Sequence, residues 1–76
     1  MKQFFTFGSD HVRDGQSLLG QYVLVEADDK EMCRQLMFGA FGREWSFQYD
    51  IEELPAMEEK YKLKCYGTIV WKKEQV

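Results

Sequence analysis

The residues best suited to chemistry are one histidine, two cysteines and two runs of carboxylates. His11 is the single histidine of the chain and lies among Ser9, Asp10 and Asp14 in a polar segment. Any Ser–His or Cys–His mechanism would have to use it, with the nucleophile in hydrogen-bond reach and a third group orienting the base. No spacing brings Ser9 or Cys33 into that relation. The expected role of His11 is therefore a solvent-facing loop residue, and no catalytic residue is assigned. Metal chemistry meets the same obstacle. One histidine and two distant cysteines, Cys33 and Cys65, do not reproduce structural zinc spacing. Asp10 and Asp14 lack the alternating oxygens and closing glutamate of a calcium loop. Gly39 and Gly42 fall at a helix end that exposes carbonyls, the wrong polarity for phosphate. The chain reads as a non-enzyme with no metal or cofactor.

The carboxylates offer binding instead of catalysis. Glu26, Asp28, Asp29 and Glu31 form one group; Asp50, Glu52, Glu53, Glu58 and Glu59 form another. They serve helix N-termini and solubility. They also describe an acidic surface that would dock on a basic groove of a nucleic-acid-handling protein, where complementary charge speeds association. Lys60, Lys62 and Lys64 follow the second group closely, so the local field is dipolar and not uniformly negative. A different class of function rests on Tyr66, Trp71 and Lys72: a stacking strand for single-stranded nucleic acid or a small ligand. Against it, aromatic residues on the strands of a short chain usually fill the core.

Bulk numbers narrow the field. The chain has 76 residues, 10 Lys and Arg against 13 Asp and Glu, 45% hydrophobic and 16% aromatic residues. That is enough apolar matter for one folded domain over residues 1–76 and too little chain for a doubly wound dinucleotide fold or a barrel enzyme. A net charge of −3 disfavours duplex DNA as the main partner. The sequence shows neither a signal-peptide apolar region nor a membrane-spanning run, so the expectation is a cytoplasmic protein, with no membrane partner and two reduced cysteines that pack.

The elements that must position these residues follow from periodicity. Lys2 to Phe7 alternates as a strand, with Phe5 and Phe7 on one face and Phe4 and Thr6 on the other. Residues 9–20 read as a loop or long hairpin connection, which Leu18 and Leu19 would pin to the core. Tyr22 to Ala27 is a second strand. From Asp29 the apolar positions Met32, Cys33, Leu36, Met37, Ala40 and Phe41 make an amphipathic helix, with Asp28 its expected N-cap and Gly42 its C-cap. Glu44 to Tyr49 alternates as a third strand carrying Trp45, Phe47 and Tyr49 on one face. Asp50 with Glu53 opens a second helical stretch; because proline suits the first helical turn, either a short turn precedes Pro55 or the helix proper begins near Leu54. Lys64 to Trp71 forms a fourth strand, weakened or bulged at Gly67, with Cys65, Ile69 and Trp71 opposite Tyr66, Thr68 and Val70. The tail from Lys72 to Val76 is expected to be solvated. The order is ββαβαβ. The predicted class is α+β, a small two-layer domain with a mostly antiparallel sheet of about four strands and two helices on one face. Phe5, Phe7, Phe41, Trp45 and Phe47 are its expected core.

Three stretches carry a family resemblance: Phe4-Phe5-Thr6-Phe7-Gly8, Tyr22-Val23-Leu24-Val25-Glu26-Ala27, and the block from Met37 to Tyr49. Across residues 4–50 the chain resembles short phage and prophage proteins with a YFTFG-type start, a YVVIEA-like strand and an MFxxFGxxWxFxY centre. That group has no assigned activity. The resemblance implies a phage accessory context: binding a host macromolecule, including components of bacterial defence systems, as an inhibitor of the anti-CRISPR kind would, in the bacterial cytoplasm. A homodimer through an exposed strand edge is a further expectation for so short a sheet.

Overall fold

The computed structural model describes residues 1–71. Its main sheet is built from β1 (Lys2–Thr6), β4 (Gln21–Glu26), β5 (Phe47–Asp50) and β6 (Lys64–Val70), in the spatial order β5-β1-β4-β6. β1 runs antiparallel to both β4 and β5, and β4 pairs parallel with β6. The α+β class, the mostly antiparallel four-stranded sheet, the two helices and the order ββαβαβ are those expected from the sequence. The connection after β1 adds a second, two-stranded sheet, β2 (Val12–Arg13) with β3 (Gln16–Ser17). Its turn is Asp14-Gly15, both at positive φ (53° and 79°), the two-residue turn whose twist suits a hairpin.

Between β4 and β5 runs α1 (Lys30–Phe41). Asp29, and not Asp28, is its N-cap: Asp29 Oδ1 accepts the Met32 N–H at 2.8 Å. The helix lays Cys33 and Met37, both fully buried, on Phe5, Phe7, Val23 and Val25, with Met32, Leu36 and Phe41 packed around them. Each fully buried aliphatic or aromatic side chain contributes about 1.5–3 kcal/mol of transfer free energy. Leu18 joins this core, whereas Leu19 is exposed. Arg13 ties the hairpin to the end of α1, with Nη1 donating to the Ala40 carbonyl at 3.2 Å and the guanidinium 4.3 Å above the Phe41 ring.

After β5, a 3-10 turn (Ile51–Glu53) leads into α2 (Leu54–Tyr61), with Pro55 in the first turn as its missing N–H requires. Glu53 Oε2 accepts the Asp50 N–H at 3.3 Å, within the capping box read from Asp50 and Glu53.

One part of the expected arrangement is different. The helices do not share a face. α1 covers Phe5, Val23 and Val25, while α2 reaches Tyr22, whose side chain points the other way along β4. The reason is topological. The crossover from β4 to β5 runs one way along the sheet and that from β5 to β6 runs back; if both are right-handed, their helices fall on opposite faces.

A second correction concerns the aromatic strand. β5 begins only at Phe47, so Trp45 lies ahead of it and does not share its phase. Trp45 turns toward α1, edge-on to Phe5 at 4.9 Å, with Nε1–H donating to the Gly42 carbonyl. Tyr49 stacks on Phe4 on the other face, 5.2 Å between centroids, and Phe47 beside it is 63% exposed instead of core.

Candidate functional site

The acidic segments come together by topology. Because β4 and β5 both run antiparallel to β1, their C-terminal ends lie at the same end of the sheet. Glu26 faces Lys2 and Asp50 faces Gln3 in register, so the Glu26–Glu31 and Asp50–Glu53 segments flank the start of β1. Met1, Lys2, Gln3, Lys30, Asp50, Ile51 and Glu52 surround a shallow depression of about 360 Å³ between them. Glu58 and Glu59 are not part of this end. Half-buried Glu58 lies under α2, where its Oε2 accepts from the Tyr22 hydroxyl at 3.4 Å, and Glu59 is exposed on α2. Burial first, then the Cys65 thiol and the Glu58 carboxylate, push the Tyr22 phenol above its ordinary 10.0.

Several carboxylates at the acidic end have structural tasks. Asp29 caps α1, and Glu31 pairs with Arg34 one turn along. Asp50 sits 3.3 Å from Lys30 Nζ and accepts from Gln3 Nε2 at 2.6 Å. The Gln3 hydrogen bond, then Lys30, hold the Asp50 carboxyl below its ordinary 3.8. Gln3 is 2% exposed and bonded at both ends of its amide, because Gln48 Nε2 donates to its Oε1 at 3.2 Å; the same Gln48 Nε2 donates to the Lys30 carbonyl at 3.1 Å. Glu26, Asp28 and Glu52 remain, among the described residues, outside any recorded side-chain hydrogen bond or ion pair.

The aromatic alternative is not assembled as expected. β6 carries one extra residue at Tyr66: Tyr22 faces Cys65 while Val23 faces Gly67. This bulge, foreshadowed by Gly67, turns Tyr66 onto the face of Gly67 and Ile69, where its ring meets Phe41 edge-on at 5.8 Å. Cys65 therefore falls on the face of Thr68 and Val70, the reverse of the simple alternation. Trp71 packs half-buried against the core, five residues from Tyr66 and so roughly 17 Å along the strand. The two rings form no common stacking platform. Lys72 lies outside the described residues.

His11 is not simply solvent-facing. Its Nδ1 accepts the Gly8 N–H at 2.8 Å, and its ring lies edge-on to Phe7 at 6.2 Å. Among the described residues no group of three His, Cys, Asp or Glu side chains is placed to hold a metal. The two cysteines are free and unlike each other: Cys33 is buried and packs, whereas Cys65 is exposed on β6 and does not. No helix among the described residues is long and apolar enough to cross a membrane.

Sequence reasoning missed a cleft of about 450 Å³ between α2 and the sheet, lined chiefly by Leu19, Phe47, Tyr49, Met57, Tyr61 and Leu63. The available signal was the phase of Phe47 relative to Tyr49 once Trp45 is removed from the strand. No family model, curated protein or solved structure matches this chain.

Proposed function

We propose that the chain is a non-enzymatic, phage-type accessory protein that binds a host protein of the nucleic-acid-handling kind, including the defence components that its sequence resemblance implies. The observation that supports this most is the meeting of two acidic segments at one end of the sheet, with Glu26, Asp28 and Glu52 left for a partner. A basic groove on the partner is the complementary surface, and contact through exposed charge makes association fast and salt-sensitive. Asp29, Glu31 and Glu53 shape this end, and Glu58 and Glu59 stand outside it. The separation of Tyr66 from Trp71 favours this reading over a nucleic-acid stacking strand.

The test is a pull-down from bacterial lysate with the wild-type chain and with a Glu26→Lys, Asp28→Lys, Glu52→Lys variant. These positions avoid the helix cap and the Gln3 network, so the variant should keep its fold by circular dichroism. Basic nucleic-acid-handling proteins retained by the wild type, released by salt and lost in the variant support the proposal. Equal retention by both chains, or binding of nucleotides with quenching of tryptophan fluorescence and no retained protein, contradicts it.

A further inference from the structure

We infer that the outer edge of β6 captures an extended segment of a partner polypeptide as an added strand, with acidic residues on that segment where it passes Lys62 and Lys64. The strand is seven residues long and ends the sheet, and nothing among the described residues pairs with its outer side. The inner side is fixed by two bonds: Lys64 N–H donates to the Gly20 carbonyl and Trp71 N–H to the Glu26 carbonyl, each at 2.9 Å. In a strand the N–H and C=O of one residue point the same way and successive residues alternate. Counting back from Trp71 aims the backbone groups of Val70 and Thr68 outward, on the unpaired side. The devices that protect an edge, here Lys64 and the bulge at Tyr66, stand at the start of the strand. Beyond them Gly67 to Val70 contains no proline and no charge, and the side chains of Thr68 and Val70 are exposed. Unpaired backbone donors and acceptors specify a strand as the occupant.

Charge and phase choose which strand. Lys60, Lys62 and Lys64 are all exposed at one end of this edge, opposite the acidic end of the sheet, so a segment with carboxylates at that position is the complement. Lys62 holds a left-handed backbone (φ 55°, ψ 43°) at the end of α2, a position that glycine usually takes, and sets a positive charge there. A second copy of this chain would pair over a shorter length. The bulge at Tyr66 puts residues 64–66 out of phase with 67–70, so a two-fold pairing centred on Gly67 would oppose side chains of different faces, and only the stretch from Gly67 onward stays in phase.

The edge is distinct from the acidic end, so this inference and the proposed function can fail separately. The probe is a fluorescein-labelled peptide of alternating valine and threonine flanked by glutamates, read by anisotropy against the full chain, with a lysine-flanked peptide as control. The wild type should bind the glutamate-flanked peptide at least about tenfold more tightly than Thr68→Pro, which removes an outward donor and spares the ladder to β4. Lys62→Glu with Lys64→Glu should reverse the preference between the two peptides. If Thr68→Pro fails to fold, a peptide N-methylated on alternate amides supplies the same contrast on the wild-type chain. Absence of binding, binding indifferent to the proline and N-methyl changes, or a concentration-dependent dimer that Thr68→Pro abolishes would overturn the inference.

Discussion

Gln3 shows how a single polar residue can sit inside a small apolar core. It shares the face of Phe5 on β1, and burial of an unpaired amide would cost about 1–3 kcal/mol. Here the amide nitrogen donates to Asp50 and the oxygen accepts from Gln48, so both ends are satisfied. Gln3→Ala removes both bonds and leaves a gap, and should lower the unfolding free energy by about 1–3 kcal/mol in urea titrations. The same bond gives Asp50 a pH signature. A carboxyl whose folded value is depressed contributes stability that is present above its unfolded value and is lost as pH falls through the folded one. Thermal melts of the wild type should therefore lose Tm below about pH 4, and Asp50→Asn should flatten that part of the decline. A profile unchanged by Asp50→Asn would show that the Gln3–Asp50 bond does not persist in solution. The position of Gln3 on the core face was legible from alternation with Phe5 and Phe7. Its partners were not, because Gln48 and Asp50 come from a strand whose register is a tertiary outcome.

At the scale of elements, local signals located most of what the chain builds. Alternation found β1 and β4, the apolar stripe found α1, and Pro55 found the start of α2. Phase was harder. Trp45, Phe47 and Tyr49 are spaced as one face of a strand, but β5 starts after Trp45, so the spacing misassigned Phe47 to the core. The bulge at Tyr66 changed phase in the same way within β6. Where helices end, the backbone makes opposite predictions for two residues. Gly42 closes α1 at φ 62° and ψ −126°, with its N–H on the Phe38 carbonyl at 2.8 Å. A Cβ there would meet nothing within 4 Å, so the cost of Gly42→Ala is one of backbone conformation, about 1–3 kcal/mol. Lys62→Gly should raise stability by up to about 1 kcal/mol, because it relieves a left-handed non-glycine residue. Paired urea midpoints moving in opposite directions would bear out both assignments. A stabilised Lys62→Gly that also binds the acidic peptide less tightly would further show that stability and charge compete at that residue.

Over the whole molecule, the sheet is asymmetric between its faces and between its ends. Parallel β4 and β5 deliver acidic segments to one end, while the lysines that precede β6 lie at the other, a separation hidden within a net charge of −3. The sequence showed the charge runs but not their placement, because strand order and crossover direction join segments far apart in the chain. The faces differ as well: α1 contributes fully buried Cys33 and Met37, whereas α2 contributes no fully buried residue. The side under α1 should therefore open only with global unfolding, and α2 should open locally at lower free energy. The two free cysteines report on this directly. Cys65 is exposed on the edge of β6, whereas Cys33 is buried, and burial pushes its thiol up. The thiolate is the reactive form, so both access and ionisation protect Cys33. Native chain treated with iodoacetamide should take one label rapidly, at Cys65, and the second only at the rate or population set by global unfolding. Gln3→Ala and Gly42→Ala should speed labelling of Cys33 in proportion to their loss of stability, with little effect on Cys65. Substitutions confined to the exposed part of α2, such as Tyr61→Ala, should leave the Cys33 rate nearly unchanged while increasing amide exchange across residues 54–61. If Cys33 were labelled as fast as Cys65 in the native chain, the α1 side could not be the core that unfolds last.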